Sequence, residues 1–247
     1  MLSVKSAARF YLLLYNLVCL SGWSAIFTMM CIHISFTGSI DGVYYSVESL
    51  VQLFQTLAIL ELFHAIFGLV KSSPTFVFLQ LFGRLFIVWV TFYEPYQVTS
   101  DLGSFFIILA WSITENIRYS YYAWTIYNSN TLPYLMIWLR YNAFIVLYPI
   151  GVLGEVLTTV SAWDYLSAWS LYPIQYESSI IYFNMAHLVL ILTIPYFIGF
   201  FFLYTYMLKQ RKKVLTNLQS PKWKDHSLNG NTEKVAATGD GTNLKED

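Results

Sequence analysis

Apolar runs of about bilayer length alternate with short polar connections along most of this chain. A transmembrane helix needs about 20 predominantly apolar residues. Runs near that length lie at roughly 11–34, 51–70, 76–92, 105–127, 135–160 and 180–208. The third run is the shortest, and Arg84 interrupts it. The pattern predicts an all-α fold, a polytopic bundle of six transmembrane helices formed by residues 1–208.

Basic residues fall on alternate connections between these runs, and acidic residues fall on the others. The basic positions are Lys5, Arg9, Lys71, Lys209, Arg211, Lys212 and Lys213, together with Arg118 late in the fourth run and Arg140 early in the fifth, which flank one connection. The acidic connections, which hold no lysine or arginine, carry Asp41, Glu48, Glu94, Asp101, Asp164 and Glu177. Lysine and arginine are retained on the cytosolic side of membranes. The alternation therefore predicts that both termini are cytosolic, and it favours an even number of spans.

Composition agrees with a membrane protein. Only 11% of the residues are charged, against about 25% in soluble domains. The equal numbers of basic and acidic residues give no signal for nucleic acid. Two cysteines exclude a disulfide scaffold and a cysteine-based metal site. From residue 209 to residue 247 the chain is first basic and then small and polar, which predicts a cytosolic tail that lies on anionic lipid and is then disordered.

Ionisable side chains inside the predicted spans are candidates for function, because each is costly in a bilayer. Glu61 and His64 are three residues apart and share a helix face, as do Glu115 and Arg118. The alternative interpretation is that these groups pair across helices and only stabilise the bundle.

The segment RYNAFIVLYPIGVLGEVL, residues 140–157, is unusual for a membrane helix. Tyr148 and Glu155 are seven residues apart, so they share a face and are separated by a rise of about 10.5 Å. Pro149 removes the backbone hydrogen bond to Ile145, and Gly151 leaves room beside the helix. The two side chains either bracket a ligand or pack against partner helices.

Four segments resemble a known family: LELFHAIFGLVKSS (60–73), QLFGRLFIVW (80–89), WSITENIRYSYY (111–122) and WLRYNAFIVLYPIGVLGE (138–155). The chain resembles the 3-hydroxyacyl-CoA dehydratases of very-long-chain fatty acid elongation, also called protein-tyrosine-phosphatase-like. The resemblance implies a hydro-lyase of the endoplasmic reticulum membrane without metal or cofactor, with Tyr148 and Glu155 as its catalytic pair. It also implies the condensing enzyme and the two reductases of the cycle as partners. Neither cysteine begins a Cys-x5-Arg loop, which argues against phosphatase activity.

Dehydration of a 3-hydroxyacyl-CoA needs a base near C2 and an acid near the C3 oxygen. We expect Glu155 to be the base and Tyr148 the donor, but the sequence also allows the reverse. Four cations are candidates for the CoA phosphates: Lys71, Arg84, Arg118 and Arg140. For these the positive-inside rule alone is the competing explanation. Supporting positions around the pair are Glu61, His64, Glu115, Tyr119, Tyr122, Tyr141, Pro149 and Gly151.

Two other functions remain open at this point. One is a noncatalytic membrane scaffold of the elongation complex, in which the pair is kept for packing. The other is a small-solute carrier that uses Glu61, Glu115 and Glu155 as relay groups. The six predicted spans show no internal repeat of the kind that many carriers have.

Overall fold

The chain forms a bundle of helices in a computed structural model, which describes residues 4–92, 101–128, 132–168, 170–176 and 179–219. The helices are α1 (Val4–Thr37), α2 (Val43–Leu57), α3 (Ile59–Ile66), α4 (Pro74–Phe86), α5 (Asp101–Tyr127), α6 (Tyr134–Asn142), α7 (Phe144–Ser161), α8 (Trp163–Ala168) and α9 (Met185–Gln219). A π-helical turn, Ile87–Thr91, continues α4, and the strands β1 (Ser170–Tyr176) and β2 (Ser179–Asn184) precede α9.

Five helical stretches are long and apolar enough to cross a membrane. They are Ser6–Thr37, Val43–Ile66, Pro74–Thr91, Phe144–Ser161 and Met185–Thr216. This confirms the prediction of a multi-pass helical membrane protein. Helix α5 has 27 residues but falls short in hydropathy, because Glu115, Asn116 and Arg118 occupy its centre. A total of six spans therefore stays a prediction.

The predicted start of the last span, at residue 180, is wrong. β2 occupies that segment and pairs with β1 in an antiparallel hairpin, in which Ile174 lies opposite Ile181. The run IIYF at 180–183 is β-branched and aromatic, a composition that strands favour, and a short apolar run gives no periodicity that separates strand from helix. Helix α9 begins only at Met185 and continues to Gln219, so its last residues belong to the predicted tail. The tail from residue 220 lies outside the described residues.

Two glycines set the ends of the second span eight and four residues earlier than the sequence predicts. Gly42, with φ of 73°, precedes α2, and Gly68, with φ of 68°, follows α3. Glycine enters this left-handed region without strain. Beyond Gly68, the Leu69 N–H donates to the His64 carbonyl at 2.9 Å, which closes the helix with a Schellman-type bond.

Helix α5 lies at the centre of the bundle, where α1 and α7 pack most extensively against it. The crossing of α5 and α7 depends on glycine. A Cβ on Gly154 would lie 2.8 Å from the Gly103 carbonyl oxygen, and one on Gly103 would lie 3.0 Å from the Gly154 oxygen. Small residues let membrane helices approach this closely. The contact fixes the rotation of α7 about its own axis, and so determines which of its residues face the other helices.

Two long-range hydrogen bonds place Arg9 and Arg211 at one end of the bundle, which we call the basic end. Arg9 donates to the Ile126 carbonyl at 2.7 Å, and Arg211 donates to Asn142 at 2.8 Å. These bonds place the start of α1, the end of α5, the end of α6 and the end of α9 at the same level. Basic residues from the first and last helices thus lie at the same end of the bundle, as the positive-inside rule predicts.

Candidate active site

Tyr148 and Glu155 both lie on the side of α7 that packs against α9. The Tyr148 ring is parallel to Phe200, with ring centroids 4.9 Å apart, and to Tyr204 at 6.0 Å. Two turns along α7, the Tyr196 hydroxyl donates a hydrogen bond to Oε2 of Glu155. Both side chains are half-buried. The shared face that the sequence predicts is therefore present, and α9 forms one wall of it.

Helix α5 forms a second wall between the two side chains. A Cβ on Gly151 would lie 3.5 Å from the Ala110 Cβ and 3.9 Å from Nε1 of Trp111. The Trp111 indole also interacts with the Glu155 carboxylate. Because Gly151 has no side chain, Trp111 can lie close to α7 at this position. Pro149 of the same helix is exposed.

Arg84 enters this region from α4. It forms an ion pair with Glu115 of α5, and its guanidinium carbon lies 5.0 Å from the centre of the Trp111 ring. Trp111 itself lies against Gly151 of α7. The Arg84 cation therefore reaches the region of the proposed catalytic pair from the Trp111 side.

Arg118 continues the ionic contacts away from the pair. It forms a bidentate contact with Glu61 of α3, in which Nη2 lies 2.8 Å from Oε1, and its Nε donates to Glu115 at 2.7 Å. The Tyr119 hydroxyl also donates to Glu61. The guanidinium of Arg118 is thus held by two carboxylates. This agrees with the alternative interpretation from the sequence, in which ionisable groups pair across helices and stabilise the bundle. Its binding of CoA phosphate stays a prediction.

The remaining predicted residues lie nearer the basic end. Lys71 is exposed in the connection between α3 and α4. Arg140 donates to the Tyr122 hydroxyl at 3.2 Å, and the Tyr141 ring meets Tyr121 edge-on at 6.5 Å. His64 Nε2 lies 2.8 Å from the Tyr11 hydroxyl. These positions are separate from the Tyr148–Glu155 region.

The sequence did not single out the aromatic wall of α9. Tyr196, Phe200 and Tyr204 recur at intervals of four residues, which places them on one helix face. That spacing is the signal by which they could be found, but an aromatic stripe in a membrane helix is usually packing. Trp111 begins the family-like segment 111–122, but the sequence does not predict a function for it.

Comparison with known proteins gives one family. A family model described as "Protein tyrosine phosphatase-like protein, PTPLA" matches residues 55–217. The very-long-chain (3R)-3-hydroxyacyl-CoA dehydratase 2 of Homo sapiens is 37% identical over 219 residues, which cover 87% of this chain and 84% of that protein. The very-long-chain (3R)-3-hydroxyacyl-CoA dehydratase hpo-8 of Caenorhabditis elegans is 35% identical over 83% of this chain and 94% of its own length. A probable very-long-chain (3R)-3-hydroxyacyl-CoA dehydratase of Schizosaccharomyces pombe is 36% identical over 83% of this chain and 92% of its own length. No solved structure matches the chain.

Proposed function

The chain belongs to the protein tyrosine phosphatase-like family, and from that premise we propose that it dehydrates very-long-chain 3-hydroxyacyl-CoA to trans-2-enoyl-CoA. This is the third step of the fatty acid elongation cycle. Relatives that match most of the chain carry this activity in their names. The observation that carries the proposal is the half-buried Glu155 carboxylate on the same helix face as Tyr148.

In the proposed reaction Glu155 accepts the proton from C2 of the substrate. The electron pair of that C–H bond forms the C2=C3 double bond, and the C3–O bond breaks. Tyr148 donates a proton to the departing oxygen, which leaves as water. A proton then returns from Glu155 to Tyr148 through solvent. The chemistry needs no electron acceptor, so these two side chains are sufficient for the proton transfers.

Tyr196 supports the base in this proposal. Its hydroxyl donates to Oε2 of Glu155, which leaves Oε1 to take the C2 proton. A carboxylate oriented by this hydrogen bond and by the Trp111 indole keeps its orientation when substrate enters, and orientation of the reacting groups lowers the barrier.

The CoA moiety binds at the basic end in this proposal. Lys71 and Arg140 remain as its candidate ligands, because Arg118 is occupied by carboxylates. Arg140 precedes Tyr148 by eight residues, a rise of about 12 Å. The polyanionic head therefore stays at the membrane surface while the thioester reaches the pair. The acyl chain continues among the apolar side chains of the bundle.

The proposed topology has six spans, with α5 as the fourth, and places the basic end and both termini in the cytosol. The contacts of α5 with α7 at Gly103–Gly154 and with α6 at Tyr122–Arg140 lie near opposite ends of α5 and support a full crossing by this helix. The endoplasmic reticulum is the proposed location. The condensing enzyme and reductases of elongation are the proposed partners, because they make and consume the substrate and product.

The test is an assay of detergent-purified protein on a long-chain 3-hydroxyacyl-CoA. We expect enoyl-CoA from the wild type and a loss of kcat of about 10²- to 10⁴-fold in Tyr148→Phe and in Glu155→Gln, since each removes one proton-transfer group. Tyr127→Phe and Glu48→Gln are matched controls at other levels of the bundle and should keep wild-type rates. A wild type without activity, or Tyr148→Phe and Glu155→Gln variants as fast as the controls, would contradict the proposal. The scaffold and carrier functions would then be tested instead.

A further inference from the structure

Arg84 lies too deep in the bundle to serve the CoA phosphates. Helix α4 begins at Pro74, directly after the basic connection that holds Lys71. Arg84 is ten residues further along, a rise of about 15 Å. Phosphates that remain in water do not reach that level. An arginine inside a membrane bundle is costly, so a function at its own level is the first hypothesis.

Within the described part of the chain, the Arg84 guanidinium has N–H donors without a hydrogen-bond partner. Arginine carries five N–H donors. Among the residues that the structure describes, its hydrogen bond is the one from Nη1 to Glu115. One edge of the group is thus anchored, and its carbon is held 5.0 Å from the Trp111 ring centre. The remaining donors are available to a ligand.

The position of α4 brings these donors to the reacting side chains. A Cβ on Gly83, the residue before Arg84, would lie 3.8 Å from the ring of Tyr196, whose hydroxyl holds Glu155. Trp111, beneath the guanidinium, lies against Gly151, between Tyr148 and Glu155 on α7. The cation therefore borders the space in which C2 and the thioester would lie.

We infer that Arg84 is a catalytic residue that binds the thioester carbonyl oxygen of the acyl-CoA. This inference rests on the proposed function. When C2 loses its proton, negative charge develops on that carbonyl oxygen. Fixed donors aimed at such an oxygen in a site with little water are among the largest contributions to catalysis. Neither Glu155 nor Tyr148 can supply this while transferring protons at C2 and C3.

Glu115 is then a positioning residue. Its side chain is 3% exposed and contacts both Arg84 and Arg118, and Arg118 in turn contacts Glu61. The four charges alternate in sign and add to zero. Removal of one partner leaves an unpaired buried charge. These ion pairs therefore hold the Arg84 guanidinium in place and leave its other N–H donors to a ligand.

The direct test is the carbonyl stretch of bound trans-2-enoyl-CoA labelled with ¹³C at C1, measured by isotope-edited infrared spectroscopy on protein in nanodiscs. We expect a shift to lower frequency on binding to the wild type. The shift should persist in Arg140→Gln, which changes the basic end, and should vanish in Arg84→Gln. In turnover, Arg84→Gln should lower kcat by about 10²- to 10³-fold with KM within a few-fold, whereas Arg140→Gln should mainly raise KM.

A matched double variant separates the inference from a merely structural salt bridge. Arg84→Gln combined with Glu115→Gln removes the cation without leaving its partner unpaired, and should fold even if the single variant does not. If this folded protein retains the full carbonyl shift, the inference is overturned while dehydratase activity of the wild type still supports the proposed function. If the wild type binds enoyl-CoA with a shifted carbonyl but does not dehydrate the hydroxyacyl substrate, the proposed function fails instead.

Discussion

Tyr196 is the side chain that bonds to the proposed base, and Tyr148 is not. The hydroxyl of Tyr196 reaches Glu155 across the α7–α9 interface, while Tyr148 is held by its ring against Phe200 and Tyr204. The two tyrosines therefore differ in what constrains them. A hydroxyl that does not bond the carboxylate suits a group that must donate to the substrate, and a bonded one suits a group that orients the base.

Replacement of Tyr196 by Phe should slow proton abstraction without abolishing it. A hydrogen bond to a charged group contributes about 1.5–3 kcal/mol, so we expect kcat to fall roughly 10- to 100-fold. With substrate deuterated at C2, the primary isotope effect on kcat should rise, because a misoriented base makes this step more limiting.

Tyr206→Phe on the same helix is the control. Its hydroxyl accepts a bond from Gln210, near the end of α9, so neither kcat nor the isotope effect should change. An unaltered isotope effect and rate in Tyr196→Phe would show that the hydrogen bond to Glu155 has no part in the reaction.

At the scale of elements, the two glycines of α7 have different surroundings, one in a helix contact and one near the proposed active site. Gly154 lies against the backbone of α5, with no room for a methyl group, whereas Gly151 faces Trp111 across an ordinary contact distance. Gly154 thus allows the close approach of α5 and α7, whereas Gly151 lies beside the proposed reacting side chains.

The two glycines should respond differently to alanine. A Cβ on Gly154 lies 2.8 Å from a backbone oxygen that cannot move alone, and overpacking of this kind costs about 1–3 kcal/mol. Gly154→Ala should therefore lower the melting temperature of the detergent-solubilised protein by several degrees. Gly151→Ala, with its nearest neighbour at 3.5 Å, should melt as the wild type does. Equal melting temperatures for the two variants would mean that α5 and α7 do not cross at Gly154.

Apolar length and loop charge were enough to predict the helical membrane fold, because both act locally along the chain. The hairpin at 170–184 was missed, because a strand of apolar residues depends on a partner strand that periodicity does not reveal. The shared face of Tyr148 and Glu155 follows from helix geometry alone. The bond from Tyr196 and the pairing of Arg118 with Glu61 join residues far apart in sequence, and such contacts depend on packing that a single sequence does not specify.

At the scale of the whole molecule, the bundle sorts its charges along one axis. Arg9 of the first span bonds to Ile126, and Arg211 of the last span bonds to Asn142. The proposed topology places both of these basic residues on one side of the membrane, which requires an even number of crossings and therefore a crossing by α5.

Cysteine accessibility tests this topology in sealed microsomes. Single cysteines at Lys71 and Lys212 should react with a membrane-impermeant maleimide from the cytosolic face, whereas those at Asp41 and Asp164 should react only after permeabilisation. The native Cys19 and Cys31 are first replaced by serine or alanine. Protection of position 212 in intact vesicles, with position 71 accessible, would indicate five crossings and contradict the proposed topology.

The polar centre of α5 also has a consequence for how the protein is made. A charged residue at the middle of an isolated helix raises the free energy of membrane insertion by about 2.5–3.5 kcal/mol, and α5 carries Glu115 and Arg118 three residues apart. The partners of these charges, Glu61 and Arg84, lie on helices that are synthesised earlier. The ribosome thus delivers the neutralising groups before the segment that needs them. The order of helices along the gene becomes part of the folding pathway, and a permuted chain with the same contacts would have to insert α5 unaided.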